Sequence, residues 1–563
     1  MRIALIYPYF IEQRIHVEEI AVVPMGLYYI GAMLRSAGHR VEILNWHAAR
    51  DASEMMRETL ISLKPDIIGF SILHANRWGA IDIARMAKAI DPRVPIVFGG
   101  IGATFLWRLL LENFQEIDYI VLGEGEYTFL QLAETIEKGA AHEDMTAIPG
   151  LALRTAQGIV QTPPADPVRE LDTLPQPARY FDFQHISLTR GCPGRCTFCG
   201  SPKFWNRRVR AHSADYFVEQ LALLAGRGIT FFYVSDDTFT LNTELVIDVC
   251  RKIIQRGLKI TWQAISKVSA VNADMLFWMR KAGCVQISYG IESGSPEIRR
   301  LFCKDIGDEQ IRRAFDLTVS RGIMARAYFI YGCPGESDKT IGQTLDLIRS
   351  IKPLSVIFYI LDIFPGTALY EDFKKRTGAT DDVWLERRED ILYFETDPGL
   401  TREQVLAFGR RLRTTYHQLL PAMARDIELH DIPQLKAEQA DFLSRLGLTF
   451  SHGDYAAIQS DIPPLETART LFRKALRRHP DHRAFWGLGL VHQAEKEWEA
   501  AVAILGQGLT HFPRSRELNI CMGIALAALG RHKDALERLL PFEGSREAAP
   551  HIARCRQALG SGY

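Results

Sequence analysis

No uncharged apolar run in this chain approaches the roughly 20 residues that cross a bilayer. Neither sign of charge prevails: 67 Lys+Arg stand against 67 Asp+Glu, which gives nucleic acid or an anionic membrane no electrostatic hold. The nine cysteines are odd in number, with three between residues 192 and 199 and six scattered at Cys250, Cys284, Cys303, Cys333, Cys521 and Cys555. That is no disulfide framework, and it suits a reducing compartment. The opening apolar run, Met1–Tyr7, is too short for a signal peptide. The expectation is a cytoplasmic protein with no membrane span and no nucleic-acid partner. Its 563 residues predict three or four domains, at about 150 residues each.

What is present begins with alternation. Short β-branched runs at Ile3–Tyr7, Val41–Asn45, Asp66–Ser71, Ile96–Gly99 and Tyr119–Leu122 alternate with helical patterns over the first 140 residues. Such βα units predict a parallel, doubly wound sheet that binds its ligand beyond the strands' carboxyl ends. Loops at that edge carry Ser71, Gly99, Gly100 and Gly123, and the glycines let the backbone approach a large planar ligand. Pro149–Gln161 reads as a small hairpin, and the stretch from Pro163 to Pro177 as a proline-rich strap to the next domain. From Phe183 to Tyr370 strand and helix signals alternate six times, as a partial (β/α) barrel requires.

Cys192, Cys196 and Cys199 follow the first of these strands at spacing C-x3-C-x2-C. Three thiolates are one short of a closed tetrahedral set, whether for zinc or for a four-iron cluster. A zinc site needs a fourth ligand, and His185 and His212 lie at awkward spacing for it. A cluster with three protein ligands keeps one iron open to a ligand from outside.

The cysteine spacing, with Phe198 before the third cysteine, resembles that of the radical S-adenosylmethionine (radical SAM) superfamily. The resemblance implies a [4Fe-4S] cluster held by the three cysteines, with SAM chelating the free iron and yielding a 5′-deoxyadenosyl radical on reduction. Further motifs follow in order. Asp236-Asp237-Thr238-Phe239 resembles an element beside the SAM amino group, and Lys267 stands where a cation would meet the SAM carboxylate. Gly290-Ile291-Glu292-Ser293-Gly294 is similar to a G-I-E-S-G motif, which implies that Glu292 accepts hydrogen bonds from SAM and that Gly290 leaves room for the adenosyl group. Gly332-Cys333-Pro334-Gly335-Glu336 matches a loop near the adenine, and Pro365-Gly366-Thr367 an element that ends the barrel. Ahead of them Pro24–Leu34, Gly99-Gly100 and Leu122–Glu126 resemble the cobalamin-binding domain found before some radical SAM domains. That implies a cobalamin whose tail lies along Ser71, Gly99, Gly100 and Gly123. No histidine has Asp two residues before it and Gly three after, so none is expected to replace the cobalamin's own base; His74 reads as a polar loop residue. Cys303 and Cys333 read as packed thiols rather than catalytic ones.

Residues 400–430 carry an i, i+3/i+4 apolar stripe, an amphipathic helix over the barrel. Leu488-Gly489, Ala494, Ala501 and Leu505 recur 34 residues on as Met522-Gly523, Ala528, Ala535 and Leu539. This period resembles tetratricopeptide repeats, which implies a surface for a protein partner or an added stabilising domain. The expected fold is α/β: a Rossmann-like parallel sheet (1–140), a linker (141–182), a partial (β/α)6 barrel (183–375), a helical extension (376–460) and all-α repeats (461–563).

The chemistry expected is methylation of an unactivated carbon, with cobalamin, SAM, the cluster and an external electron donor, on a small-molecule or protein-borne substrate. Radical cyclisation, oxidation or rearrangement without methyl transfer is the alternative; a non-catalytic cobalamin-binding scaffold has no use for an open iron. Methylthiotransferases need three N-terminal cysteines for a second cluster, and no Cys precedes Cys192. No residue is assigned to the catalytic step on the substrate itself. Anaerobically prepared protein is predicted to show iron–sulfur absorption, and replacing Cys192, Cys196 and Cys199 together by Ala to abolish it.

Overall fold

The first five apolar runs become strands β1 (Arg2–Tyr7), β2 (Arg40–Asn45), β3 (Ile67–Ser71), β4 (Ile96–Gly99) and β5 (Tyr119–Val121) in the computed structural model, which describes residues 1–11 and 25–560. Helices α1 (Met25–Ser36), α2 (Ser53–Leu63), α3 (Arg77–Ile90), α4 (Gly100–Asn113) and α5 (Glu126–Glu137) alternate with them. The five strands pair in parallel in the order β2-β1-β3-β4-β5. Connections reverse direction between β1 and β3, the place where open sheets of this kind form a ligand crevice. Pro24, at the head of the Pro24–Leu34 pattern, lies outside the described residues.

The hairpin expected in the linker forms, but as part of this sheet. Its strands β6 (Leu151–Thr155) and β7 (Gly158–Gln161) add antiparallel to β5, with Val121 opposite Leu151, and make seven strands. Sequence alternation could locate the hairpin but not its partner. The pairing removes the open edge that β5 would otherwise present.

The second sheet contains six parallel strands in chain order: β8 (His185–Ile186), β11 (Phe231–Val234), β12 (Thr261–Ser266), β13 (Cys284–Glu292), β14 (Met324–Tyr331) and β15 (Ser355–Ile360). Between β8 and β11 a two-residue pair, β9 (Thr189–Arg190) with β10 (Arg210–Ala211), closes the base of the cysteine loop. The short helix α6 (Ser201–Phe204) lies inside that loop. Its turn depends on Gly191, at φ +103°, where a Cβ would run into the carbonyl oxygen of Arg208. The outer helices are α7 (Ala214–Ala225), α8 (Thr243–Gln255), α9 (Ala273–Lys281), α10 (Pro296–Leu301), α11 (Asp308–Ser320), α12 (Asp338–Ile351) and α13 (Ala368–Thr377). Side chains of Ser213, Asn242, Asn272, Ser337 and Thr367 cap α7, α8, α9, α12 and α13, so these loops stop where a polar residue satisfies the first free N–H groups.

The amphipathic stripe becomes α14 (Arg402–Arg425), with Val405, Phe408, Leu412 and Tyr416 buried. Beyond it stack α15 (Lys436–Ser451), α16 (Pro464–Arg478), α17 (His482–Ala494), α18 (Trp498–His511), α19 (Arg516–Ala528), α20 (His532–Leu539) and α21 (Ala549–Leu559). The 34-residue period has a packing cause: Gly489 lies against Leu505 and Gly523 against Leu539, and in both a Cβ would strike the leucine. The stack already begins at α15, which packs on α16 with Gly447 against the Phe472 ring, so it reaches into the stretch expected as an extension. No helix among the described residues is long and apolar enough to cross a membrane.

Asp441 on α15 fastens this stack to the barrel. It accepts from Arg280 of α9 at 2.7 Å, Arg445 at 2.9 Å and Arg483 at 2.6 Å. Burial raises its pKa, but Arg280 and Arg445 outweigh this and hold the carboxyl below the usual carboxylate range. Asp441→Ala leaves the buried Arg280 without its counter-ion and is expected to cost about 2–3 kcal/mol, read from denaturant unfolding. The wild-type advantage is complete above about pH 4 and fades as pH falls through the depressed pKa.

Candidate functional site

The carboxyl ends of the two sheets face each other across a cavity of about 280 Å³. Ser71, Gly99, Gly100 and Gly123 line one wall; Thr189, Arg190 and Asp237 line the other. The four residues expected along the cobalamin tail are therefore together. Leu5, Val97, Val121 and Phe129 make its floor apolar. A Cβ built on Gly123, at φ +75°, meets nothing within 4 Å, so the backbone there faces open space. An apolar slot edged by bare backbone fits a planar heterocycle, and its contact with the barrel mouth fits a cofactor shared by both sheets.

A second cavity of about 710 Å³ opens beside the cysteine loop and is lined by Cys196, Lys267, Gly290 and Lys304. Gly194 lies between the cysteines, where a Cβ would stand 3.2 Å from Lys267 Nζ, 3.3 Å from Cys192 Sγ and 3.9 Å from Cys196 Sγ. The Lys267 ammonium thus faces two of the three thiols. Among the described residues, the only set of three or more His, Cys, Asp and Glu ligand atoms all within 4.8 Å of one another is that of His492, Glu495 and Glu497. The three thiols are wider apart than that, whereas a single zinc with S ligands at about 2.3 Å draws sulfurs closer. His185 and His212 are engaged elsewhere, with Ser235 at 2.8 Å and with Asp172 at 3.0 Å. The donor set fits a polynuclear cluster and not a zinc knuckle.

Glu292 ends β13 at a bulge with φ +69° and pairs with Lys304 Nζ at 2.7 Å. A Cβ on Gly290 would stand 2.5 Å from Glu292 Oε1 and 2.9 Å from Lys304 Nζ, so glycine there keeps this pair open to the cavity. Both side chains are nearly buried, and burial lowers the Lys304 pKa less than Glu292 and the thiols raise it. Lys304 carried no sequence signal; it lies 12 residues beyond Glu292 in an irregular turn.

Asp236 and Asp237 part company. Asp237 accepts from Ser201 Oγ at 2.6 Å and lines the first cavity. Asp236, 1% exposed, accepts from the backbone N–H of Leu188 (2.9 Å) and of Thr189 (2.8 Å) and from Thr189 Oγ (2.6 Å). It lines neither cavity and instead ties β11 to the chain leading into the cysteine loop. Sequence reasoning paired the two because it could not tell which of two adjacent side chains turns inward. Phe198 packs edge-on to Phe302 at 4.9 Å and buttresses the loop. Gly332 lies at neither cavity; at φ +74° it and Cys333 donate their N–H groups to Glu336, whose pKa burial pushes up to about 7.

His74 is no free ligand. Its Nε2 lies 2.9 Å from Asp362 Oδ2 and its ring 4.4 Å from Phe364. Arg77, fully buried beside it, donates to the carbonyls of His74, Trp384, Glu386 and Glu389 and fastens this loop to the chain after β15. Cys333 is buried and bonded to Ile330 O, as a packed thiol; Cys303 is exposed at the rim of the second cavity.

Comparison with known proteins agrees with this geometry. Residues 19–133 match the B12 binding domain family and residues 186–348 the radical SAM superfamily. An uncharacterized methyltransferase of Pyrococcus horikoshii is 31% identical over 424 residues, 72% of this chain and 90% of that protein. The anaerobic magnesium-protoporphyrin IX monomethyl ester cyclase of Rubrivivax gelatinosus is 27% identical over 64% of this chain and 67% of its own length. The radical S-adenosylmethionine methyltransferase TsrM from Kitasatospora setae, solved with cobalamin and a [4Fe-4S] cluster, shares the fold with a TM-score of 0.62. Its identity is 18%, and the match covers 84% of this chain and 99% of that one.

Burial pushes the Asp236 pKa up from 3.8 to about 7, against its three donors. The folded chain then keeps a proton that the unfolded chain has lost between those values. Stability is expected to fall as pH rises from about 4 to about 7. Thermal melting over that range should show the slope, and Asp236→Asn should remove its share of it.

Proposed function

Because the chain belongs to the radical SAM superfamily, among the members that carry a B12-binding domain ahead of the radical domain, we propose that it is a cobalamin-dependent methyltransferase acting on an unactivated carbon. The observation that carries this is the cavity edged by Gly99, Gly100 and Gly123 on one sheet and by Asp237 on the other, beside the three thiols' loop. When bound, the cluster and SAM supply a carbon radical able to abstract hydrogen, and the cobalamin supplies a methyl group.

The chain's own residues hold and orient these groups. Cys192, Cys196 and Cys199 would hold the cluster with three thiolates, one short of a closed set. Lys267, facing two of the thiols, would offset their charge and serve as the cation for the SAM carboxylate. Glu292, held in place by Lys304, would accept from the SAM amino group or ribose hydroxyls. Ser71, Gly99, Gly100 and Gly123 border the cobalamin tail, and the apolar floor keeps water from it. Asp237, held by Ser201, accepts from the ligand on the barrel side. Residues 1–140, 183–375 and 461–563 serve as cobalamin, radical and repeat domains, joined by the linker 141–182 and the extension 376–460. The repeats resemble tetratricopeptide units and offer a face to a protein partner, and the enzyme works in the cytoplasm.

A second reading, radical cyclisation or oxidation without methyl transfer, is favoured by the relatives named as anaerobic cyclases. Reconstituted protein given cobalamin, reductant, a metabolite extract and deuteromethyl-labelled SAM separates the two. Methyl transfer yields S-adenosylhomocysteine, 5′-deoxyadenosine and a product bearing the label; 5′-deoxyadenosine with unlabelled product supports the second reading. Glu292→Gln is expected to weaken SAM binding about tenfold, since a charge-assisted hydrogen bond is worth about 1.5–3 kcal/mol, while cluster absorption stays unchanged.

A further inference from the structure

Accessibility alternates strictly along three strands of the barrel. In β11, β12 and β14 half-buried residues take turns with buried ones, so Arg326, Tyr328 and Ile330 reach solvent while Ala325, Ala327 and Phe329 do not. The buried set faces the outer helices. A Cβ on Gly409 of α14 would strike the Tyr331 ring, and Phe329 packs on Phe358, which packs on Tyr416 of the same helix. The half-buried set therefore faces the inside of the curved sheet. A closed barrel fills that inside with side chains; the six strands here leave it accessible as a trough. Gly290, which lines the second cavity, is the cross-strand neighbour of Tyr328, so the trough begins directly beneath that cavity. Arg326 lies two residues deeper, level with Ser288 and Ser355. The walls are aromatic: His185 stacks on Tyr233 with ring centres 4.4 Å apart, and Tyr328 meets Tyr359 at 5.9 Å. Burial lowers the His185 pKa to about 4, so that ring is uncharged at neutral pH. In the six strands the only Asp, Glu, Lys or Arg residues are Glu292 and Arg326. Glu292 is held by Lys304 at 2.7 Å, whereas Arg326 has the Ser355 hydroxyl at 2.9 Å and, among the described residues, no ion pair.

We propose that this trough is the substrate subsite and that it selects a flat, ring-containing carboxylic acid, with Arg326 gripping the carboxylate and the rings of Tyr233 and Tyr328 flanking the body of the molecule. The inference rests on the radical SAM reading, which places the reacting centre in the cavity above. A guanidinium does not lose its proton, and a half-buried one without a counter-ion is unfavourable until a ligand supplies the anion. Its planar fork matches a carboxylate through two parallel hydrogen bonds. Aromatic side chains on both walls offer ring faces and edges to a conjugated body, and a few placed polar groups in an apolar cleft fix its orientation. Arg326 lines neither of the two cavities, so its role is separate from holding the cofactors.

The test uses the full reconstituted chain, with naphthoate as the probe and its neutral amide as the uncharged counterpart, and reads their binding by titration calorimetry. The wild type is expected to bind naphthoate about tenfold or more tightly than the amide, the difference made by a charge-assisted pair. Arg326→Gln should remove that preference while leaving amide binding, iron–sulfur absorption and melting temperature unchanged. Arg326→Lys should recover part of it, since the charge stays and the fork is lost. Tyr328→Leu should weaken naphthoate and amide alike. In turnover, the fraction of a metabolite extract that raises 5′-deoxyadenosine formation should be retained on an anion exchanger at neutral pH. Equal binding of naphthoate and amide by the wild type, absence of naphthoate binding, or an unaltered preference in Arg326→Gln overturns the proposal. So does a stimulating compound found in the unretained fraction. If Arg326→Gln does not fold, the wild-type comparison and Arg326→Lys decide the matter. A wild-type chain that prefers naphthoate but shows no iron–sulfur absorption overturns the radical reading instead.

Discussion

Arg190 joins the two halves of this protein. It stands two residues before Cys192 on the barrel side and reaches Glu124 at 2.7 Å on the loop after β5 and Glu126 at 2.6 Å at the start of α5. Glu124 also takes Arg210 at 2.6 Å and the N–H of Val168 in the proline-rich strap at 3.0 Å. One carboxylate thereby gathers the cysteine loop, the β10 strand and the linker. The Arg190 guanidinium lies 4.7 Å over the Tyr29 ring, and the carboxylates outweigh burial in keeping it charged. Buried ion pairs contribute little net stability, because desolvation offsets attraction. What they contribute here is register: few other placements of the two sheets satisfy all these charges.

That register determines where the first cavity lies, since both sheets line it. Apolar contacts then lock it: the Phe105 ring of α4 lies against Gly366 after β15, where a side chain would collide with it, and Ile101 of α4 lies against Gly200 beside Cys199. On the far side Arg77 does the same with three carbonyls of the chain after β15. The first sheet is held at both ends of the barrel mouth, and the slot between them stays open because its edge residues are glycines. The helical stack, fastened through Asp441 to α9, sits on the outside of the barrel and contributes no lining residue to either cavity.

Much of this was legible beforehand. The alternation of β-branched runs and helical patterns located the five parallel strands of the first sheet to within a few residues, since a parallel strand buried on both faces must be apolar throughout. The cysteine spacing and the glycine-rich loops marked the two sites. The antiparallel edge formed by β6 and β7 was not legible, because a hairpin carries no signal for which sheet it joins. Lys304 was not, because its only relation to Glu292 is spatial. Asp236 misled because sequence shows a pair of acids and not the direction each one faces.

Taken by itself, the order of residues determined the elements, their parallel pairing class and the kinds of ligand the thiols and glycines can hold. These follow from local rules: side-chain periodicity, the conformations open to glycine, the valence of sulfur. Only the tertiary structure decided which carboxylate lines a cavity and which is a strut, which cations face the thiols and which face solvent, and how the two sheets meet. Those outcomes depend on groups far apart in the chain being desolvated together, and the cost or gain of a buried charge exists only once its partner is in place.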